Sequence, residues 1–180
     1  LQLALVAVAK NHNQIALLFH ILGSLVNVIG ASCKRRYILR EKKASKVSDE
    51  LNNGEISSGR GLNQESGIQR AGDTRWGSHY GTIVSLTVIF SATIDVLEIV
   101  AEDGKKDEQR GEACGLLDLV QSFDFIFKLR LMKGVFGITN ELSQALQSKD
   151  QDIVNAMSLV KVSKQRLQMM RDEGWEDLLR

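Results

Sequence analysis

The stretch Gly111–Gln147 reads GEACGLLDLVQSFDFIFKLRLMKGVFGITNELSQALQ. Its apolar residues recur at intervals of about three or four, which places them on one face of an α-helix. The series consists of Leu116, Leu119, Val120, Phe123, Phe127, Leu131, Val135, Ile138 and Leu142. Gly134 and Gly137 each weaken a helix by about 1 kcal/mol, so the pattern is compatible with a kink or break there. The stretch therefore predicts helix, and no part of the chain shows sustained β-type alternation.

The same spacing predicts further helices on both sides of this stretch. We expect them from Gln14 to about Ala31, from Ser32 to about Asn52, from Asp73 or Thr74 to about Glu102, and from Ser148 or Asp150 to Gly174. The first two could also be continuous. Lys105–Arg110 is predicted to be a charged turn. The polar, glycine-rich residues 53–73 predict one long loop.

The fold class that follows is mostly α, a helical bundle with one long loop around residues 53–73. Residues 1–52 and 74–180 supply its helices as a single domain. The apolar face of the predicted helix that ends near Glu102 consists of Ile83, Leu86, Phe90, Ile94, Leu97 and Val100. The apolar face of the last predicted helix consists of Ile153, Met157, Val160, Leu167 and Met170.

Composition limits the class of protein. The 180 residues are 43% hydrophobic and 25% charged, which excludes wholesale disorder, a collagen-like fibre and a disulfide scaffold. Proline is absent, as suits long helices. The net charge of +1 neither requires nor excludes a nucleic-acid partner. Because the chain starts with Leu1 and its first nine residues are mostly apolar, we expect a piece of a longer protein that is poorly soluble alone.

An uncharged run, Asn11–Cys33, precedes a basic cluster as a membrane span often does. Its polar residues, among them His12 and His20, are unfavourable in hydrocarbon, so we expect no membrane partner. A membrane-anchored helical protein is kept as an alternative, which solubility without detergent would exclude. Cys33 and Cys114 each stand alone, which favours reduced thiols over a structural zinc site.

Motifs for chemistry are missing from the sequence. It contains no P-loop, dinucleotide-binding fingerprint, HExxH or GxSxG. The histidines are isolated from one another, and neighbouring acidic residues point to different sides of a helix. We predict no catalytic residues, no metal site and no cofactor within this chain.

The stretch Lys34–Lys46 is strongly basic, with Glu41 as its one acidic residue. One interpretation is a solvated helix face. The other is a phosphate-contacting surface, since such clusters release counterions when they bind DNA. The candidate DNA-binding residues here are Lys34, Arg35, Arg36 and Arg40, and Tyr37 among them could stack on a base or anchor the helix.

The strongest local feature is Thr74-Arg75-Trp76-Gly77-Ser78-His79-Tyr80, directly after the predicted loop. Trp76 could pack as a hydrophobic staple at a helix start. Alternatively, Trp76 is a stacking surface for an unpaired base and Arg75 holds a phosphate. Such stacking contributes about 1–3 kcal/mol per base.

Three blocks of the sequence, in their order along the chain, resemble hAT-superfamily transposases. The block at Thr74–Ser78 resembles their T-R-W-x-S motif, and the opening Leu1–Leu5 resembles the segment after their Cys-x-x-His motif. Residues Ile138–Gln147 and Lys149–Val154 resemble domesticated plant relatives described as zinc finger MYM-type protein 1-like or TTF-type zinc finger proteins. The resemblance covers essentially the whole chain.

The resemblance implies a ribonuclease-H-like parent that holds Mg or Mn with three carboxylates and carries a large helical insertion. Two Asp are expected upstream of Leu1 and one Glu downstream of Arg180, so this chain is mainly the insertion and is not catalytic alone. Glu141 is not matched to the catalytic Glu. The family's motif tryptophan stacks at the transposon end, a role that passes to Trp76 only.

The resemblance also implies a nuclear, DNA-binding parent that forms oligomers, if any, through regions outside this chain. The chain departs from the family pattern in lacking the Cys-x-x-His motif and any matched carboxylate. Many such relatives no longer transpose. A helical protein-interaction module of a domesticated, non-catalytic nuclear protein is therefore the alternative function.

Overall fold

The computed structural model describes residues 11–52, 76–104, 106–149 and 152–179. Its helices are α1 Asn13–Gly30, α2 Cys33–Asn52, α3 Trp76–Val88, α4 Phe90–Asp103, α5 Asp107–Val120, α6 Phe123–Ala145, α7 Ile153–Glu173 and α8 Trp175–Leu179. No strand occurs within these ranges. The prediction of a mostly α-helical bundle is confirmed. The predicted loop at residues 53–73, the motif residues Thr74 and Arg75, and the opening Leu1–Ala9 lie outside the described residues.

The described residues fall into two compact units. The first unit contains residues 11–19, 76–83, 122–149 and 152–179, and the second contains 20–52, 84–104 and 106–121. Two boundaries therefore fall inside helices, α1 and α3, and a third falls between α5 and α6. The prediction of a single domain stays a prediction for the chain as a whole.

In the second unit, α4 packs against both α2 and α5. Its core contains Leu25, Leu86, Val96, Leu97 and Val120, each almost fully buried. These side chains recur at helical spacing, and burial of apolar area stabilises the unit by roughly 25 cal/mol per Å².

In the first unit, α6 packs against α7 and α8. Phe125, Leu129 and Phe136 of α6 are buried. Gly134 faces Met170 of α7 so closely that a Cβ added to the glycine would lie 2.6 Å from the Met170 Cε atom. The missing side chain thus lets the methionine fill the space beside α6.

The prediction of one long helix that ends near Glu102 is wrong in one respect. The chain bends at Ile89 and forms two helices, α3 and α4. The axes of residues 79–88 and of α4 differ by 80°. Ile89 itself has φ −106° and ψ 20°, outside the helical range. The residues before the bend are rich in β-branched types, which lose rotamer freedom in a helix. The bend also shifts the core, which takes in Ile89 and Thr93 in place of the predicted Phe90 and Ile94.

The pattern allowed a kink or break at Gly134 or Gly137, but α6 is continuous from Phe123 to Ala145. Instead the chain breaks at Gln121 and Ser122, between α5 and α6. Ser122 is extended at φ −67°, ψ 143°, and its hydroxyl accepts a 3.2 Å hydrogen bond from the Phe125 amide. This N-cap satisfies a donor that the helix start leaves unpaired, whereas the glycines stay helical because α6 packs on neighbouring helices.

Two other boundaries also differ from expectation. Helix α5 already begins at Asp107, inside the predicted charged turn, and its acidic first turn suits the positive end of the helix dipole. The last helix is capped by Asp152 rather than by Ser148 or Asp150. The Asp152 carboxylate accepts a 2.7 Å hydrogen bond from the Asn155 amide. Between α1 and α2, Ala31 and Ser32 separate the two helices that could have been continuous.

The apolar face predicted for α7 is largely exposed. Ile153 and Met157 are 79% and 70% exposed, whereas Ser163 is the buried residue of this helix. Two residues of the predicted face, Leu167 and Met170, are half-buried, and Leu159 is half-buried as well. Periodicity located the helix, but only the Leu167 and Met170 end of the predicted face is covered by its neighbours.

Helix α1 is the described helix that is long and apolar enough to cross a membrane, and the bent pair α3–α4 would add a second if it formed one span. Of the residues in α1, 33% are buried by the rest of the protein. Core helices of soluble proteins meet the same criterion, so the membrane-anchored alternative stays untested.

Candidate nucleic-acid interface

The basic helix α2 presents one exposed face that combines cations with an aromatic ring. Cys33, Arg36, Tyr37 and Arg40 are all exposed and follow the i, i+3, i+4, i+7 spacing of a single helix face. Tyr37 is 64% exposed, so its ring is accessible to a ligand. The Arg36 guanidinium donates to the Cys33 Sγ atom at 3.2 Å, within the same helix. Two guanidinium groups here flank an accessible ring.

Arg35 has a different environment, on the side of α2 that contacts other helices. Its Nη1 atom donates to the Val28 carbonyl oxygen at 2.7 Å, and its Nη2 atom donates to Gln109 Oε1 at 3.3 Å. Val28 lies in the last turn of α1, where carbonyl groups lack helical partners and the dipole favours a cation. Arg35 thus ties α1 and α5 to α2, and we assign it a structural role rather than a phosphate contact.

Lys42 lies on the same side of α2 as Arg35, two turns further on. Its Nζ atom is 3.2 Å from the Asp95 carboxylate of α4. Both groups are more than a third exposed, so this ion pair contributes little to stability. Lys34 is exposed near the start of the helix. Of the four predicted contacts in α2, Lys34, Arg36 and Arg40 therefore keep an exposed side chain.

A pocket of about 270 Å³ lies beside the start of α2 in the second unit. Lys34, Arg35 and Ser32 line one side, and Asp103 and Gln109 line the other. The two cations favour an anionic group, while the Asp103 carboxylate opposes one. The pocket adds a mixed-charge rim to the exposed basic face and does not by itself define a ligand.

The second predicted set of site residues is only partly visible. Trp76 is the first residue of α3, and Arg75 and the side chain of Trp76 lie outside what the structure describes. The two interpretations of Trp76 therefore both stay open. His79 packs edge-to-face on Phe19, with ring centroids 4.7 Å apart, and Tyr80 lies against Gly137. The end of the motif block thus contributes to packing in the first unit.

An exposed row of three aromatic rings was missed by reasoning from the sequence. Phe123 stacks on Phe127 with centroids 5.9 Å apart, and Phe127 stacks on Trp175 at 6.0 Å. Phe123 and Phe127 were predicted on the apolar face of a core helix, yet Phe123 is 69% exposed. The i, i+4 spacing of the phenylalanines was the available signal, but nothing local indicated that Trp175 joins them.

Two carboxylates on the first unit have perturbed acidity. The side-chain hydrogen bond from Arg166 holds the pKa of Glu141 below its usual value. The pKa of Asp172 is also lowered, first by a hydrogen bond from Arg171 and then by one from Gln168. Both carboxylates are solvent-exposed surface groups. Such surroundings are typical of ion pairs rather than of general acids or bases.

Neither free cysteine has a cysteine partner, and both are exposed. Within the described ranges, no group of three or more His, Cys, Asp or Glu side chains is placed to hold a metal ion.

No protein-family model matches the chain, and no solved structure matches it significantly. The resemblance to hAT transposases therefore depends on the three sequence blocks alone.

Proposed function

We propose that this chain is a fragment of a nuclear, hAT transposase-derived protein and that its function is to bind DNA. The observation that supports this best is the exposed face of α2, where Arg36 and Arg40 flank Tyr37. Guanidinium groups one helical turn apart are suited to successive phosphates, and an aromatic ring can stack on a base. Lys34 extends the same basic surface toward the start of the helix.

In this proposal the chain assists phosphoryl transfer in its parent without performing it. Any Mg or Mn of the parent is held by carboxylates outside these residues, in the ribonuclease-H-like part that the resemblance implies. The described residues do not form such a site.

The test of the basic face is DNA binding as a function of salt. We expect Arg36→Gln/Arg40→Gln to weaken binding to a 20-base-pair duplex and to lower the slope of log K against log salt by about 2. The matched control is Lys161→Gln/Lys164→Gln, which removes the same charge from exposed positions on α7. An equal loss of affinity in both variants would mean that DNA binding depends on the net charge of the chain and not on this face of α2.

The role of Trp76 needs a separate experiment, with DNA ends that carry an unpaired base. We expect Trp76→Ala to reduce the preference for such ends over blunt duplex by about 5- to 150-fold, the equivalent of one stacked base. Arg75→Ala should weaken binding to both kinds of end. Unchanged preference in Trp76→Ala, with the fold intact by circular dichroism, rules out stacking and leaves the hydrophobic staple.

A protein-interaction module is the second candidate function, and one observation favours it. Ile153, Val154 and Met157 are 79%, 79% and 70% exposed in successive turns of α7. Apolar side chains grouped in this way are frequent at protein interfaces. If neither Arg36→Gln/Arg40→Gln nor Trp76→Ala alters DNA binding, this alternative becomes the better description.

A further inference from the structure

The first turns of α7 carry an exposed apolar stripe, which we call the α7 stripe (Ile153, Val154, Met157 and Val160). Ile153, Met157 and Val160 follow the i, i+4, i+7 spacing of one helix face, and Val154 lies beside them. Val160 is 40% exposed and the other three are more exposed. Ser163, the buried residue of α7, lies about 120° around the helix from Met157. The α7 stripe is thus separate from the side by which α7 packs in its own unit.

Charged residues flank the α7 stripe, with opposite signs at its two ends. Lys161 and Lys164 are exposed and continue the same face toward the C-terminus of α7. Asp152 is exposed at the N-terminal end, where its carboxylate caps the helix. The α7 stripe therefore has an acidic end and a basic end.

Other charged residues near this face do not reverse its polarity. Lys149 lies before the acidic end, but it belongs to the turn between α6 and α7 and not to the helix. Arg171 and Asp172 lie well beyond the basic end and pair with each other, with Nε and Oδ1 2.9 Å apart. The polarity thus comes from the two lysines and the capping aspartate.

A stripe with opposite charges at its two ends is complementary to itself when two copies run antiparallel. In a two-fold symmetric pair each contact occurs twice, because the same patch of both copies takes part. With the axis between Met157 and Val160, Met157 lies level with Val160 of the partner subunit. Lys164 and Asp152 are at nearly equal distances on opposite sides of this axis, so they also lie level across the pair. A parallel pair would bring like charges together.

We propose that two copies of this chain associate through their α7 stripes, with the two α7 helices antiparallel. Apolar side chains spaced by four and three residues are those that one helix packs against another. The exposed charges contribute little affinity and mainly set the direction of pairing. Four side chains cover less than the roughly 800 Å² per partner of a standard interface, so the dimer is weak and reversible.

This contact lies within the chain, unlike the oligomer contacts that the resemblance implies. It does not depend on DNA binding. It gives the exposed apolar cluster of the second candidate function a definite partner, a second copy of the same chain.

The test is sedimentation velocity of the whole 180-residue chain over a range of protein concentrations. We expect a monomer–dimer equilibrium with a Kd of about 10–100 µM, in keeping with a small interface. Met157→Glu places two like charges near the symmetry axis and should weaken association by at least about 10-fold. The matched control is Val162→Glu, which adds the same charge at a 48% exposed position on another side of α7. It should associate as the unmodified chain does, with both folds checked by circular dichroism.

The direction of pairing needs charge variants. Lys164→Gln and Asp152→Asn should each weaken the dimer by about 2- to 10-fold, and asparagine keeps the helix cap. If the two groups meet across the dimer, the double variant should be no weaker than either single variant. Additive losses, or no loss in either single variant, would overturn the antiparallel arrangement.

Two results would overturn the α7 stripe as the contact between copies. The first is a chain that stays monomeric up to about 200 µM, well above the expected Kd, which would leave the stripe to a different protein. The second is an equal effect of Met157→Glu and Val162→Glu, which would place self-association elsewhere or ascribe it to net charge.

Discussion

Among the cations of α2, Arg35 differs in what its guanidinium group contacts. It donates to the Val28 carbonyl at 2.7 Å and to Gln109 at 3.3 Å, while Arg36 bonds within its own helix. Arg35 therefore stabilises the fold, because removing its guanidinium group would leave the Val28 carbonyl oxygen at the end of α1 without this hydrogen-bond donor. Two adjacent arginines thus have different roles.

We expect Arg35→Ala to reduce the free energy of unfolding by about 1.5–3 kcal/mol, the range for hydrogen bonds made by a charged group. Arg36→Ala should change it by less than about 0.5 kcal/mol, as is usual for exposed positions. Urea denaturation followed by circular dichroism measures both. Equal values for the two variants would contradict the structural role of Arg35.

At the scale of elements, the two glycines of α6 show how packing preserves a helix that local propensity weakens. Gly134 faces the end of the Met170 side chain. A Cβ atom added to Gly137 would lie 3.6 Å from the Tyr80 hydroxyl oxygen. The first contact is too close for a larger side chain unless Met170 moves. The second is ordinary van der Waals distance.

Gly137→Ala should therefore stabilise the protein by about 0.5–1 kcal/mol, since alanine favours the helix and meets no clash. Gly134→Leu should destabilise it by about 1–3 kcal/mol through overpacking against Met170. Thermal unfolding of both variants tests the pair. A loss of stability in Gly137→Ala would mean that Tyr80 needs the space.

The bend between α3 and α4 brings Ile89 into the core while its neighbour Val88 faces solvent. Ile89 is 2% exposed and Val88 is 55% exposed. We expect Ile89→Ala to cost about 2–5 kcal/mol of stability, as core truncations do. Val88→Ala, the adjacent control, should stay within about 0.5 kcal/mol. Similar losses of stability in both variants would mean that Ile89 is no more buried than Val88, which would contradict the bend.

For the whole molecule, charge is nearly balanced, with a net charge of +1 and an isoelectric point near 8.0. Exposed apolar side chains on α7 add to the tendency to associate when net charge is low. Stability, by contrast, should respond to acid. The pKa values of Glu141 and Asp172 are lowered in the folded state by hydrogen bonds from arginine and glutamine.

A carboxylate whose pKa is lowered by folding contributes stability above its unfolded pKa, and this contribution disappears as pH falls through the folded value. We therefore expect the urea midpoint to fall as the pH is lowered below 4.5 and 3.8, the ordinary pKa values of the two carboxylates. Solubility should be lowest near pH 8. Glu141→Gln should reduce the acid dependence modestly because both partners are exposed. An unchanged dependence would mean that Arg166 does not favour the ionised carboxylate.

The helices at Asn13–Gly30 and Cys33–Asn52 agree closely with expectation, since apolar spacing and polar breaks are local signals. The bend at Ile89 and the break at Ser122 were not predicted. Neither position carries proline or glycine, so tertiary packing and a cap selected them over other positions that the pattern also allowed.

The residues of the candidate site likewise divide into those that local sequence predicted and those that only tertiary contacts define. Lys34, Arg36 and Arg40 were predicted from charge density alone, and the structure leaves all three exposed. Arg35 belonged to the same cluster, but its contact with Gln109 joins residues 74 positions apart. The stacked rings of Phe127 and Trp175 likewise belong to two different helices. Contacts between residues so distant in sequence leave no local pattern to read.

The amino-acid sequence by itself determined that this protein is helical, because the spacing of apolar residues and the absence of proline are properties of the chain. The tertiary structure alone decided which face of each helix is buried, as α7 illustrates by exposing Ile153 and Met157. Periodicity defines an apolar stripe, but burial depends on the shape and position of the neighbouring helix. That neighbour is chosen by the packing of the whole unit.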